Sequence, residues 1–126
     1  MLSQTKVLVV DDEVEFASVL SERLLLRNYD AKAVYTAEDA LAIIPQWSPD
    51  VVLLDLQMPG MNGMEALKII KQIDATIEVI ILTGRGDESS HEQGLTGGAF
   101  EYIMKPVDIG ELLLRIDKAK RSRRRN

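Results

Sequence analysis

Cysteine is absent from the 126 residues, and histidine occurs once, at His91. The first absence excludes disulfides, thiol nucleophiles and Cys-ligated zinc or iron–sulfur centres. The second excludes a multi-histidine metal site. A Ser–His catalytic pair would have to rest on His91 alone, which lies in a polar segment away from every motif described below. Aromatics are scarce, with one Trp, three Tyr and two Phe, so the core must be built from Val, Ile, Leu, Ala and Met. Met58, Met61, Met64 and Met104 accordingly read as packing residues. No apolar run exceeds five residues, which leaves nothing able to span a membrane, and no signal-peptide pattern opens the chain. The expectation is a soluble, cytoplasmic protein of one domain, since the length is near the commonest domain size.

What the sequence does have is acid. The net charge of −5 conceals a division: residues 118–126 hold six of the fifteen cations and no acid, so the first 117 residues set nine cations against twenty acids, a charge of −11. An acidic body with a basic tail does not fit a nucleic-acid-binding domain, whose cations would cover a face. Residues 120–126 read as a solvated basic tail or the start of a linker, and 1–119 as the domain.

Two hydrophobic periods alternate five times. Lys6–Val10 is a short continuous apolar run of the kind buried on both faces of a sheet. Phe16, Ala17, Leu20 and Leu24 then follow at helical spacing, in a helix ending near Asn28. Residues 29–34 form a weak second strand. Thr36 caps a second helix with Ala40, Leu41 and Ile44 inward and Pro45 near its end. Val51–Leu54 is the third strand, and a turn with Pro59, Gly60, Asn62 and Gly63 leads into a helix with Met64, Leu67, Ile70 and Ile73 inward. Residues 78–82 make the fourth strand. The fourth helix, about 88–95, is polar and crowded by Gly94, Gly97 and Gly98, which suggests a mobile helix. Glu101–Met104 is the fifth strand. Asp108 and Glu111 are spaced as a capping box for the last helix, with Ile109, Leu112, Leu113 and Ile116 inward. Strands and helices alternating every 25 residues or so imply βαβ crossovers, and hence a doubly wound (βα)5 sandwich around a parallel sheet.

In such a sheet ligands bind beyond the carboxyl ends of the strands. Those ends carry Asp11 and Asp12 after the first strand, Asp55 after the third, Thr83 after the fourth and Lys105 after the fifth. Taken singly, each is an ordinary turn, cap or solvated residue. Together they converge on one edge. Three carboxylates there would repel one another. Lys105 offsets one charge, and a hard divalent cation with oxygen ligands, Mg2+, suits the rest. A metal, a hydroxyl and an ammonium together suit a phosphoryl group. No Gly-rich cradle follows the first strand to hold a nucleotide, so the phosphoryl group would be carried on a protein carboxylate. Asp55, ending the central strand, is the best nucleophile, with Asp11 and Asp12 as metal ligands.

These residues stand in four segments: Val9-Val10-Asp11-Asp12-Glu13, Leu54 through Gly63, Leu82-Thr83-Gly84, and Tyr102-Ile103-Met104-Lys105-Pro106. In order and at strand ends they resemble the receiver domain of two-component response regulators, over about residues 5–119. The resemblance implies the flavodoxin-like strand order 2-1-3-4-5. It implies that Asp55 accepts a phosphoryl group from a partner histidine kinase, a histidine phosphotransfer protein or a small phosphodonor. Asp12, Asp55 and the backbone carbonyl of Gln57 would bind Mg2+ directly, and Asp11 through a water. Thr83 and Lys105 would hold the acyl phosphate, and the Lys105–Pro106 bond would be cis. Tyr102 would swing inward after Thr83, altering the surface of helix 4, strand 5 and helix 5, which would address an output domain, a downstream protein or a second copy. Gln57 and Arg85 flank the path of water to the acyl phosphate and would tune its loss, Arg85 slowing it.

Two other functions compete. Aspartyl-phosphate phosphatases also use Asp, Mg2+, Thr and Lys on such a sheet, but need a second acid two residues after the nucleophile, where this chain has Gln57. A receiver-like module could instead dock partners without phosphorylation. The resemblance favours a switch that turns over no separate substrate.

Overall fold

The computed structural model describes residues 4–84 and 88–124. The strands are β1 (Lys6–Val10), β2 (Asp30–Val34), β3 (Val51–Leu54), β4 (Glu78–Thr83) and β5 (Glu101–Met104). The helices are α1 (Val14–Leu26), α2 (Ala37–Trp47), α3 (Gly63–Ile73), α4 (Glu88–Thr96) and α5 (Ile109–Arg124). All sheet pairings are parallel, in the order β2-β1-β3-β4-β5.

The apolar strands divide their side chains between two cores because successive residues of a strand point to opposite faces. Leu8, Val10, Val52, Leu54, Val79 and Ile81 face α2 and α3. Val7, Val9, Val51, Leu53, Ile80 and Leu82 face α1 and α5. Helix starts follow local chemistry. Thr36 Oγ1 accepts the Asp39 N–H at 3.0 Å to cap α2, and Asn62 Oδ1 accepts the Met64 N–H at 2.8 Å to cap α3. Asp108 Oδ2 accepts the Glu111 N–H at 3.2 Å, the first half of the expected capping box; the Glu111 carboxylate pairs instead with Arg115.

Several expectations are corrected. Ile73 is the last residue of α3, where the chain turns away at Asp74, and it is 41% exposed rather than inward. Met104 ends the half-covered edge strand β5 and is 45% exposed, so it is not a packing residue. Helix α4, by contrast, forms where it was expected, and Gly94 has a packing reason: a Cβ there would lie 2.5 Å from Ile81 Cδ1 and 3.3 Å from Tyr102 Cδ2. With no apolar stripe of its own, α4 approaches the sheet through that missing side chain.

Helix α5 continues through residues 120–124, and two cations of the segment read as a solvated tail, Lys120 and Arg123, are part-buried against Asp50. Asp50, buried just before β3, accepts the Lys6 N–H at 2.9 Å, the Lys120 ammonium at 2.9 Å and the Arg123 guanidinium. Arg123 also donates to Thr76 Oγ1 at 3.2 Å and reaches Asp74 at 3.4 Å. The acidic body thus supplies partners for the last turn of α5. Among the described residues no helix is long and apolar enough to cross a membrane.

Candidate functional site

Three of the candidate side chains are placed by one further step of the sheet ladder, and Thr83 is the last residue of β4. The Asp11 N–H donates to the Val34 carbonyl at 3.2 Å, Asp55 N–H to Val10 at 3.0 Å, and Lys105 N–H to Thr83 at 2.8 Å. The backbone is therefore fixed immediately beyond β1, β3 and β5, and the side chains converge at the carboxyl edge. The Lys105–Pro106 bond, at the start of the connection to α5, is cis.

Asp11, Asp55 and Thr83 are buried, at 2%, 4% and 0% exposure, while Asp12 is exposed. Asp55 Oδ1 accepts the Thr83 hydroxyl at 2.7 Å and the Gln57 N–H at 3.1 Å. Thr83 thus already points at Asp55. Lys105 Nζ donates to Asp11 Oδ2 at 2.7 Å and Glu13 Oε1 at 2.9 Å, and lies 3.4 Å from Asp55 Oδ2. Its ammonium also sits 4.4 Å from the centroid of the Phe16 ring. Asp11 Oδ1 accepts the Glu13 N–H at 2.9 Å.

Burial pushes the Asp11 carboxyl above the usual carboxylate range, against the hydrogen bonds from Lys105 and Glu13 that pull it back, and the nearby Asp55 charge adds to the rise. Burial alone would lower the Lys105 ammonium, but its bonds to Asp11 and Glu13 and the charges of Asp11 and Asp55 raise it above its ordinary value. The site is thus acidic, part-buried and short of positive charge.

One carboxylate oxygen from each of Asp11, Asp12 and Asp55 lies within 4.8 Å of the others, so these hard donors could hold a metal ion. All-oxygen donors and an exposed Asp12, open to retained water, fit Mg2+. The approach of α3 to this loop needs glycine at its first residue. A Cβ on Gly63 would lie 2.7 Å from Leu56 Cα and 3.0 Å from the Asp55 carbonyl oxygen. Backbone cannot yield there cheaply, so Gly63→Ala is expected to cost about 2 kcal/mol, the range for overpacking, read from chemical denaturation at an unchanged m-value.

The exposed Gln57 places its side chain beside Gly84. Half-buried Tyr102 lies in β5, and its ring stacks on that of His91, with centroids 5.0 Å apart and planes tilted by 44°. His91 is therefore not remote from the motifs: the one histidine sits against the aromatic residue of β5. Arg85 lies outside the described residues. Residue patterns missed two participants, Glu13 and Phe16. Glu13 carried a signal, a third consecutive acid after the first strand. Phe16 was legible only as a helix-stripe residue.

A parallel doubly wound sheet with three carboxylates, a hydroxyl and an ammonium at its carboxyl edge defines the class: acidic-pocket α/β domains suited to a phosphoryl group. Within that class, the chain belongs to the family described as "Response regulator receiver domain", whose sequence profile matches residues 7–117. It is 37% identical over 114 residues to the transcriptional regulatory protein ResD of Bacillus subtilis (strain 168), covering 90% of this chain and 47% of ResD. It is 33% identical over 119 residues to the regulatory protein AtoC of Escherichia coli (strain K12), covering 94% of this chain and 26% of AtoC. The chain therefore spans less than half the length of either curated relative. A CheY-like response regulator receiver domain protein from Methanospirillum hungatei JF-1 superimposes with a TM-score of 0.93 at 28% identity, over 98% of both chains. Membership places the domain in phosphorylation-based signalling.

Proposed function

We propose that this domain is a phosphorylation-switched receiver in which Asp55 accepts a phosphoryl group from a sensor histidine kinase or a histidine phosphotransfer protein, with Mg2+ bound. The observation that carries the assignment to Asp55 is its setting. It is buried, one oxygen is anchored by Thr83 and Gln57, and the other faces Lys105 beside the Asp11–Asp12 pair.

The Asp55 carboxylate attacks phosphorus in line with the leaving group. The new O–P bond forms as the P–N bond of the donor phosphohistidine breaks, and its electron pair returns to the imidazole. Mg2+ held by Asp12, Asp55 and the Gln57 carbonyl, with Asp11 through a water, would supply the positive charge that lets a phosphoryl group approach this acidic pocket. Lys105 pairs with a phosphoryl oxygen, and Thr83 moves its hydroxyl bond from the carboxylate to the phosphoryl group. Tyr102 follows Thr83, and the surface of α4, β5 and α5 changes for an output domain, a downstream protein or a second copy. Gln57, with Arg85, sets access of water to the acyl phosphate. The domain acts as a switch with no separate substrate, in the cytoplasm, and without contacting nucleic acid itself.

The test is incubation with acetyl phosphate, with and without Mg2+, read by intact mass. The expected product carries one phosphoryl group, requires Mg2+, and loses the group in hydroxylamine, as an acyl phosphate should. A protein that stays unlabelled, with an Asp55→Asn variant that still binds its partner normally, would indicate the phosphorylation-independent docking module instead.

A further inference from the structure

Glu13 does something the phosphoacceptor reading does not use. It occupies the N-cap position of α1, yet its side chain makes no capping hydrogen bond. Helix N-caps favour Ser, Thr, Asp or Asn, whose short side chains reach their own helix. The longer Glu13 side chain reaches across to Lys105 instead, at 2.9 Å. Its backbone N–H meanwhile holds Asp11 Oδ1, so Asp11 and Glu13 form one unit facing the ammonium. A lysine ammonium has three N–H donors. Two go to Asp11 and Glu13, and the third, toward Asp55, spans the longest distance of the three, 3.4 Å. The Phe16 ring of α1 attracts the ammonium further, at 4.4 Å.

We propose that Glu13 is a positioning residue that draws the Lys105 ammonium toward α1, so that a phosphoryl group on Asp55 must compete with Glu13 for it. This rests on the reading of Asp55 as phosphoacceptor. Glu13 thereby weakens the hold of the site on phosphoryl oxygens while leaving the ligands for Mg2+ in place. Its side chain is 65% exposed, so replacing it disturbs no packing.

The test uses beryllofluoride, a phosphoryl mimic, titrated into the protein at saturating Mg2+ and followed by amide chemical shifts. Glu13→Gln removes the charge. Glu13→Asp keeps the charge, falls a methylene short of Lys105 and can cap α1. Both are expected to bind beryllofluoride about threefold more tightly than wild type, the effect of removing an ion pair with one exposed partner, with Mg2+ alone bound no more tightly. Unchanged or weaker beryllofluoride binding in both variants would overturn the proposal. Tighter binding in Glu13→Gln alone would also overturn it, since net charge rather than the pull on Lys105 would then be responsible. A wild-type protein with no response to beryllofluoride would instead overturn the phosphoacceptor reading, and this inference with it.

Discussion

In metal-free buffer the Asp55→Asn protein melts above the wild type, and at saturating Mg2+ the order reverses. The first half follows from repulsion. Asp55 shares its edge with Asp11 and Asp12, and its charge is one of the causes that raise the Asp11 carboxyl. Asparagine keeps an oxygen for Thr83 and the Gln57 N–H while removing that charge, at the cost of a 3.4 Å approach from Lys105. The net gain should be about 1 kcal/mol, a fraction of the Coulomb energy of unit charges at this separation in an effective dielectric near 20. The second half follows from linkage, because a cation that binds only the folded state stabilises it by about 2.7 kcal/mol at a hundred times its dissociation constant. Asp55→Asn loses a charged ligand and most of that gain. Thermal melts in EDTA and in Mg2+ check both signs; parallel melting of the two proteins in both buffers would contradict a cation site at Asp55.

The other large effect lies at the opposite end of the same strand. Asp50→Asn is expected to lower stability by about 2–3 kcal/mol, because it removes the charge that two part-buried cations face and one of the two oxygens that accept bonds from Lys6, Lys120 and Arg123. Burial would raise the Asp50 carboxyl, but the Lys6 N–H, Lys120 and Arg123 together hold it below its ordinary value. The folded state therefore releases this proton more readily than the unfolded chain does. Stability from Asp50 is complete above the unfolded carboxylate value near 4 and declines as pH falls toward the lower folded value. Denaturation of wild type and variant at pH 7 and pH 3 should show a gap that narrows in acid. A constant gap would mean that Asp50 contributes shape rather than charge.

Three strands of the sheet were legible because they are short apolar runs with no competing period. Val7–Val10, Val51–Leu54 and 78–82 can be little else, and their carboxyl ends bring Asp11, Asp55 and Thr83 together by topology alone, with Lys105 added at the end of β5. Helix α4 was hardest to read, because what seats it is a contact between Gly94 and Ile81, and an absent side chain leaves no apolar stripe. The same limit hid His91 against Tyr102, a contact between elements that only the packing of α4 on β5 decides. The pairing of Lys120 and Arg123 was not legible because their partner, Asp50, lies some 70 residues earlier in the chain. Charge composition recorded six cations near the end; it could not show that two of them had a buried partner. Glu13 was visible as an acid, yet its bond to Lys105 spans 92 positions.

Chemical trapping shows directly whether Asp55 carries the phosphoryl group. The protein is phosphorylated with acetyl phosphate and Mg2+, reduced with borohydride, which converts an aspartyl phosphate to homoserine, digested, and sequenced by mass spectrometry. Homoserine is expected at position 55. Homoserine at position 11 or 12, or none anywhere in a protein that binds Mg2+ normally, would contradict this role for Asp55.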